Sequence, residues 1–459
     1  TFRIGLETSY QYAKRDRLRH YYRGNWTNAN LNGASWCNPN VPDELGLFSC
    51  SLGQTTNGFN GQYVSQLINL KAGKVSLDTF TYGIYAEDDA KIDFDKGGEI
   101  NTRLGLRLDG DNYMSKHTLA PRFSLNYITP APKQYQSQLT FGVNRYYARN
   151  LLSYRLYDLE KNFQARWVRD AATGKWTDQL AGTGQFARPN YVSFGSLNVP
   201  YSDELMGGIL QNIDFVSINL KYIYRAGKDE LMQKFINGVN GTREWSNDGR
   251  SQSHIVSLII SNAEPINTFG VLHHYLLAFD YTKVYRSYNL DFSTTQLGYD
   301  EQTMIDYNGS IIAYENRPTQ NWARPFTLRF STTHNFNIGR TKWLLNNFFR
   351  YRAGYEAMVL VGTAGSNNPN GGTYAYDTYR KWDFLGAFNW DMRVGFEVDI
   401  WRGQTLYFNA DIYNVLNAKN ITTLGTSDGS IASGIALAST AIPVYELGRQ
   451  FWLQVGYKF

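Results

Sequence analysis

Long apolar runs are missing from this chain of 459 residues. A membrane-spanning helix needs about 20 consecutive apolar residues, and no stretch of the sequence approaches that length. The absence excludes helical membrane spans. It does not exclude membrane-spanning strands, because only alternate residues of a barrel strand face lipid.

An excess of charge of one sign is also missing. The sequence has 45 Lys and Arg against 40 Asp and Glu, which gives a formal net charge of +5. No basic run and no RNA-binding aromatic motif accompanies this small excess. We therefore expect no nucleic-acid partner.

Motifs that carry catalysis or hold metals are scarce. The sequence contains no P-loop, no His-Glu-x-x-His and no Cys-x-x-Cys. His273 and His274 are adjacent, so on a strand they point to opposite faces and cannot share a metal ion. We expect a protein that is not an enzyme and has no metal site and no cofactor of its own, although its ligand carries iron if it is an iron chelate.

Cysteine is rare, with two residues in the whole chain, Cys37 and Cys50. Both lie in one stretch rich in Gly, Asn and Pro. This placement favours a disulfide within an exposed loop in an oxidising compartment. Two free thiols are the alternative.

Alternating apolar and polar residues are what the sequence has in abundance, most clearly at its end. The apolar set consists of Phe451, Leu453, Val455, Tyr457 and Phe459. Because successive strand residues point to opposite faces, this set forms one apolar face that suits hydrocarbon, while the other face suits a polar interior. The segment predicts the closing strand of a transmembrane β-barrel.

The same alternation predicts about fourteen strands along the chain, joined by connections that are alternately short and long. The predicted long loops cover residues 17–74, 151–200, 229–250, 287–325, 355–389 and 415–447. Short turns on one side and long loops on the other are typical of outer-membrane barrels. Two more strand-like segments, 62–71 and 303–314, would place later loops on the wrong side if they crossed the membrane, so we expect them as β-structure inside loops. Strand character begins at Thr1, and we expect that an N-terminal part of a longer protein precedes it.

Arginine and aromatic residues recur together in the loops and at strand ends. Such clusters suit a large anionic or aromatic ligand through cation–π contacts and charge-assisted hydrogen bonds. The candidate ligand-binding residues are Arg149, Tyr154, Arg155, Arg188, Trp322 and Arg324. Roles in the aromatic girdle and in loop packing are the alternative for each of them.

Three segments resemble parts of the TonB-dependent outer-membrane receptors. They are Tyr445-Glu446-Leu447-Gly448-Arg449-Gln450-Phe451-Trp452 with Tyr457-Lys458-Phe459, Asp411-Ile412-Tyr413-Asn414-Val415-Leu416-Asn417-Ala418-Lys419-Asn420, and Arg103-Leu104-Gly105-Leu106-Arg107-Leu108-Asp109. The resemblance implies an all-β transmembrane antiparallel barrel of 22 strands in the bacterial outer membrane, of which this chain holds about fourteen, with the plug domain and the first strands absent.

The resemblance also implies a function and partners. It implies uptake of a scarce nutrient, commonly a ferric siderophore, haem or cobalamin, driven by the TonB–ExbB–ExbD complex acting through the plug. It further implies that the terminal aromatic strand is the assembly signal for the barrel-assembly machinery. Two alternatives stay open: a passive outer-membrane channel closed by fourteen strands, and a receptor that captures a host or partner protein through its loops.

Overall fold

The structure of the chain is a computed structural model. It describes residues 1–19, 21–27, 36, 38, 40–48, 50–56, 59–70, 72–148, 164–170, 172–178, 197–235, 243–287, 304–313, 324–362, 364, 368, 371–401, 403–425 and 442–459. In these ranges, no helix is long and apolar enough to cross a membrane.

The described residues form 26 strands and one 3-10 helix, Lys133–Tyr135. In chain order the strands are β1 (Phe2–Arg17), β2 (Tyr21–Thr27), β3 (Cys50–Thr56), β4 (Phe59–Leu70), β5 (Gly73–Asp93), β6 (Glu99–Asp111), β7 (His117–Ile128), β8 (Ser137–Tyr147), β9 (Gln164–Arg169), β10 (Trp176–Asp178), β11 (Tyr201–Ile213), β12 (Val216–Phe235), β13 (Arg243–Asn262), β14 (Ile266–Thr268), β15 (Val271–Arg286), β16 (Met304–Tyr307), β17 (Ser310–Ala313), β18 (Phe326–Ile338), β19 (Thr341–Arg352), β20 (Tyr355–Gly362), β21 (Thr378–Phe384), β22 (Ala387–Trp401), β23 (Gln404–Tyr413), β24 (Ile421–Gly425), β25 (Ile442–Tyr445) and β26 (Gln450–Lys458).

One large antiparallel sheet contains the fourteen long strands, and each of its strands pairs with the next long strand along the chain. Its order is β1-β5-β6-β7-β8-β11-β12-β13-β15-β18-β19-β22-β23-β26, with the short β14 paired beside β15. The strands are those that the alternation predicts. The predicted all-β class and the predicted antiparallel arrangement are therefore confirmed.

The two faces of this sheet differ in polarity. Phe396 of β22 is opposite Phe408 of β23, which in turn is opposite Val455 of β26. One residue along, Asn409 donates a hydrogen bond to Gln454 across the strands at 3.2 Å. The apolar face can therefore meet hydrocarbon, while the polar face lines the interior, which we call the lumen.

Both edges of the sheet are open in the part of the chain that the structure describes. β1 pairs with β5 alone and β26 with β23 alone. Apolar residues on these edge strands, such as Ile4 at 69% and Leu453 at 66%, are more exposed than Val143 at 45% and Phe330 at 37% on inner strands. Long edges with exposed apolar residues require a partner strand, so these fourteen strands do not form a closed barrel by themselves.

The long loops carry β-structure of their own, as predicted for residues 62–71 and 303–314. β4 belongs to a sheet with β2, β3, β9 and β10, while β16 and β17 belong to another with β20 and β21. The pairing of β4 with β9 joins the predicted loops 17–74 and 151–200 into one unit. The residue pattern within each loop does not predict this pairing.

A buried arginine lies at the centre of the first loop unit. The side chain of Arg169 is 1% exposed and pairs with the carboxylate of Asp43. Its guanidinium group lies 4.9 Å from the ring of Trp36 and 4.3 Å from that of Trp176. Burial lowers the pKa of Arg169, and the Asp43 carboxylate opposes that shift. The four side chains lock residues from both loops together.

The strands β12 and β13 continue further than the sequence indicates. Their pairing runs on through irregularities at Gly227, Glu230 and Met232 to the pair Phe235 and Arg243. The predicted loop 229–250 is therefore largely a two-stranded extension of the barrel wall. Outside the membrane both faces of a strand meet water, so the apolar alternation that marks membrane strands is lost there.

Candidate functional site

Most of the predicted ligand-binding residues lie outside the described residues. These are Arg149, Tyr154, Arg155, Arg188 and Trp322, and their role stays a prediction. Cys37 also lies outside, while Cys50 is the first residue of β3. The disulfide between them stays a prediction as well.

Arg324 is described, and it lies just before β18 where a long loop returns to the barrel. Its Nη1 donates a hydrogen bond to the carbonyl oxygen of Ala353 at 3.0 Å. Its guanidinium group lies 5.4 Å from the centre of the Tyr355 ring. These contacts hold Arg324 against the loop end of the neighbouring strand β19.

Two further arginines, Arg350 and Arg352, come from that end of β19. Phe349 and Tyr351 alternate with them and belong to the apolar face, so both arginines face the lumen. Arg350 and Arg352 are two residues apart on one face of β19, and Arg324 donates its hydrogen bond to Ala353, the residue that follows Arg352. We call these three residues, Arg324, Arg350 and Arg352, the arginine cluster.

The positive charge of the arginine cluster is only partly compensated. Arg352 pairs with Glu446, which is the one carboxylate paired with the cluster within the described ranges. Three guanidinium groups against one carboxylate leave two positive charges in excess. In the same ranges the Nε atoms of Arg350 and Arg352 are buried without a hydrogen-bond acceptor. A buried donor without an acceptor costs about 1–3 kcal/mol, so an anion that accepts these hydrogen bonds would be favoured.

Asparagines hold the single acidic residue in place. Asn420 donates hydrogen bonds to Asn389 at 2.8 Å and to the carboxylate of Glu446 at 3.5 Å. The carbonyl oxygen of Asn420 accepts a hydrogen bond from the backbone of Glu446 at 2.9 Å. Glu446 therefore orients Arg352 and leaves the other two guanidinium groups available.

Two other lumen-facing arginines, Arg393 and Arg329, differ from Arg324 and Arg350 because each pairs with a carboxylate on the neighbouring strand. Arg393 donates to both oxygens of Asp411, from β22 to β23. Arg329 of β18 pairs with Asp280 of β15. Paired charges of this kind stabilise the wall and attract an anionic ligand less. The arginine cluster is therefore the better candidate for ligand binding.

The arginine cluster is chemically suited to carboxylate, catecholate, hydroxamate and phosphate oxygens. A guanidinium group offers up to five donors in one plane, and it binds two oxygens of one such group through two parallel hydrogen bonds. The Tyr355 ring adds an aromatic surface, and burial raises the pKa of its phenol. Sequence reasoning found Arg324 but missed Arg350 and Arg352. Because Arg350 and Arg352 alternate with aromatic residues, the sequence could have predicted that both face the lumen. Their proximity to Arg324 could not be predicted, since it depends on which strands pair.

His273 and His274 lie on opposite faces of the sheet, as their adjacent positions on one strand predict. The Nδ1 atom of His273 lies 2.7 Å from Nδ1 of His334 across the strands β15 and β18. His274 pairs with Thr333 on the other face. The contact of His273 with His334 was not predictable, because it depends on the register between the two strands.

The asparagines in the segment 411–420 have a structural role. Asn414 and Asn417 have positive φ angles of 51° and 53°, which Asn tolerates better than most residues. The side-chain amide nitrogen of Asn414 donates hydrogen bonds to the carbonyl oxygens of Ala418 and Leu447. Its amide oxygen accepts a hydrogen bond from the backbone N–H of Ala418. The side chain of Asn417 accepts a hydrogen bond from the backbone of Arg449 at 3.0 Å. The motif thus ties the start of the last long loop to its end.

The terminal strand is placed as predicted. Phe451, Leu453, Val455 and Tyr457 of β26 pair with Ile412, Ala410, Phe408 and Leu406 of β23 on the apolar face. Phe459 follows, fully exposed. The role of these residues in assembly stays a prediction.

Comparisons with known proteins give one similarity in sequence and several in structure. No family model matches the chain. The uncharacterized protein YddB of Escherichia coli strain K12 is 26% identical over 399 residues, which is 84% of this chain and 44% of YddB. The crystal structure of the outer membrane transporter YddB from Escherichia coli superposes with a TM-score of 0.63 at 23% identity, covering 98% of this chain and 50% of that chain.

A further solved structure, the siderophore receptor PirA from Acinetobacter baumannii, has a TM-score of 0.49 at 14% identity and covers 98% of this chain and 59% of that chain. The chain spans about half the length of YddB. The open sheet, its apolar outer face and its polar lumen agree with the superposition on the YddB barrel. The chain therefore has the transmembrane β-barrel fold of bacterial outer-membrane transporters, as its resemblance to TonB-dependent receptors predicted.

Proposed function

We propose that this chain is the barrel portion of a TonB-dependent transporter that actively takes up an anionic iron chelate, such as a ferric siderophore. The observation that carries the proposal is the arginine cluster, which lies on the lumen face where the strands meet the long loops. A ligand arriving from outside would meet this end of the barrel first. Coupling to the TonB–ExbB–ExbD complex would act through a plug domain, as the family resemblance implies.

The charge of the arginine cluster supports an anionic ligand. Siderophores bind iron through catecholate, hydroxamate or carboxylate oxygens, and the catecholate and carboxylate chelates are anions. Charge-assisted hydrogen bonds from guanidinium groups to such oxygens are about twice as strong as neutral ones. The ring of Tyr355 would pack against an aromatic chelating group.

A passive channel of fourteen strands is the less favoured alternative. Such a channel would require β1 to pair with β26, and the described parts of these strands do not pair. A receptor for a protein partner has one observation in its favour, the folded sheet that joins two loops through β4 and β9. A pull-down with the full-length protein, with and without that loop unit, tests this second candidate.

Growth on single nutrient sources tests the proposed transport. A strain lacking this protein would be complemented with the wild type or with Arg350→Gln, and grown on one ferric chelate, haem or cobalamin at a time. We expect growth on an anionic chelate that requires both this protein and TonB. The variant Arg350→Gln should weaken growth on that chelate. Arg340→Gln, which removes an arginine from a short turn, is the matched control and should leave growth unchanged.

The outcomes separate the alternatives. Growth that persists without TonB would favour the passive channel. Growth restricted to an uncharged nutrient such as cobalamin would contradict the anionic ligand. Unchanged chelate uptake in both variants would contradict the role of the arginine cluster.

A further inference from the structure

A second group of cations lies on the opposite face of the barrel wall, toward lipid. Arg145 of β8 is opposite Asp203 of β11, and Tyr201 of β11 is opposite Lys228 of β12. We call Arg145, Tyr201, Asp203 and Lys228 the outer cationic cluster. On the same face of the sheet, the next pair along β8 and β11 is Val143 with Leu205.

The strand register fixes the face of the outer cationic cluster. Residues two apart on a strand share a face, so Arg145 points the same way as Leu139, Phe141 and Val143. These three apolar side chains are exposed on the outer face. Arg145 is therefore the first charged residue beyond an apolar stripe that meets hydrocarbon.

The strand ends fix the height of the cluster. Arg145 is two residues from the end of β8, and Tyr201 is the first residue of β11, on either side of the long loop 151–200. The outer cationic cluster thus lies at the extracellular border of the apolar band. The polar head groups of the outer leaflet begin at this border, because head-group regions flank the hydrocarbon core of a bilayer.

The contacts within the cluster arrange its cations without neutralising them fully. Arg145 donates to both oxygens of Asp203, at 2.7 and 3.0 Å, and its guanidinium carbon lies 4.4 Å from the Tyr201 ring. Nζ of Lys228 lies 3.2 Å from the same carboxylate, and its side chain is 50% exposed. Two cations on one carboxylate leave one positive charge. Arg145 also hydrogen-bonds the side chain of Tyr147, whereas the half-exposed ammonium group of Lys228 keeps donors for an external anion.

We propose that the outer cationic cluster binds a phosphate group of a phosphorylated glycolipid of the outer leaflet. The phosphate would accept hydrogen bonds from Nζ of Lys228 and would be attracted by the positive charge of the Arg145 guanidinium group beside it. Acyl chains attached to the glycolipid would run along Val143, Phe141 and Leu139. Asp203 would orient both cations. A free anion lacks acyl chains and would gain nothing from this apolar stripe.

Lipid binding to the full-length protein tests the proposal. Wild type and the variant Arg145→Gln with Lys228→Gln would be purified from outer membranes and examined by native mass spectrometry. The matched control is Lys133→Gln with Arg340→Gln, which removes two cations from the short-turn end. Each would be titrated with a bisphosphorylated acylated glycolipid, its dephosphorylated form and inorganic phosphate.

We expect the wild type and the control to bind the phosphorylated glycolipid about tenfold more tightly than the cluster variant does. The dephosphorylated form should bind all three proteins equally weakly. Equal binding of the phosphorylated glycolipid to all three would overturn the proposal. Competition by inorganic phosphate at similar concentration would also overturn it, because it would indicate a site for free anions. Heat-modifiable migration of each variant confirms that its barrel is folded.

Discussion

The substitution Asn414→Ala tests the structural role of the motif before the last loop. Asn414 is 2% exposed, and its side chain makes three hydrogen bonds to the backbone, two with Ala418 and one with Leu447. Each such bond contributes about 1 kcal/mol net to stability. Alanine also tolerates the positive φ angle less well, at a cost of about 1 kcal/mol. We expect a loss of about 3–5 kcal/mol in the free energy of unfolding.

The variant Asn414→Gly separates the two contributions. Glycine loses the same hydrogen bonds but adopts a positive φ angle without strain. It should therefore be more stable than the alanine variant by about 1 kcal/mol. Asn409→Ala is the matched control, because it removes an exposed lumen hydrogen bond to Gln454, and it should cost less than about 1 kcal/mol.

Denaturant titration of the full-length protein in detergent measures these differences. The folded fraction is read as the heat-modifiable band in gel electrophoresis, together with tryptophan fluorescence. A loss below about 1 kcal/mol for Asn414→Ala would refute the reasoning. Equal stability of the alanine and glycine variants would refute the contribution of the backbone conformation.

Three other predictions concern the loops and the end of the chain. Arg169→Met should leave the carboxylate of Asp43 without its buried partner and weaken the first loop unit by about 3–5 kcal/mol; faster hydrogen exchange there with unchanged exchange in the barrel is the expected result, and unchanged loop exchange would contradict it. Phe459→Asp, or removal of Phe459, should block assembly into the outer membrane, so a normal heat-modifiable barrel in the mutant would argue against the assembly signal. Cys37 and Cys50 should resist alkylation until a reductant is added, and modification of both without reductant would exclude the disulfide.

Membrane strands were the most predictable part of the fold. On β26 and β23 the alternation of apolar and polar residues follows directly from the two environments of the wall. Five of the six predicted loops begin and end within a few residues of the observed strand ends. The exception is 229–250, where strands leave the membrane and the hydrocarbon no longer imposes a pattern.

Contacts between segments distant in sequence were not predictable. Arg324 was identified from its aromatic surroundings, but its approach to Arg352 and Glu446 depends on which strands and loops are neighbours. The same limit applies to the pairing of β4 with β9 and to the contact of His273 with His334. In each case local sequence sets the conformation and face of a segment, while its partner is set by the register of the whole sheet.

Spin labels on paired strands test most directly whether alternate residues face lipid and lumen. Single labels would replace Phe408 and Val455 on the apolar face, and Asn409 and Gln454 on the polar face, in the full-length protein reconstituted in bilayers. We expect labels at Phe408 and Val455 to collide with oxygen dissolved in lipid and to be shielded from a water-soluble nickel complex, with less oxygen contact at Asn409 and Gln454. Equal accessibility of the two sets, or the reverse pattern, would contradict a barrel whose wall separates hydrocarbon from a polar lumen.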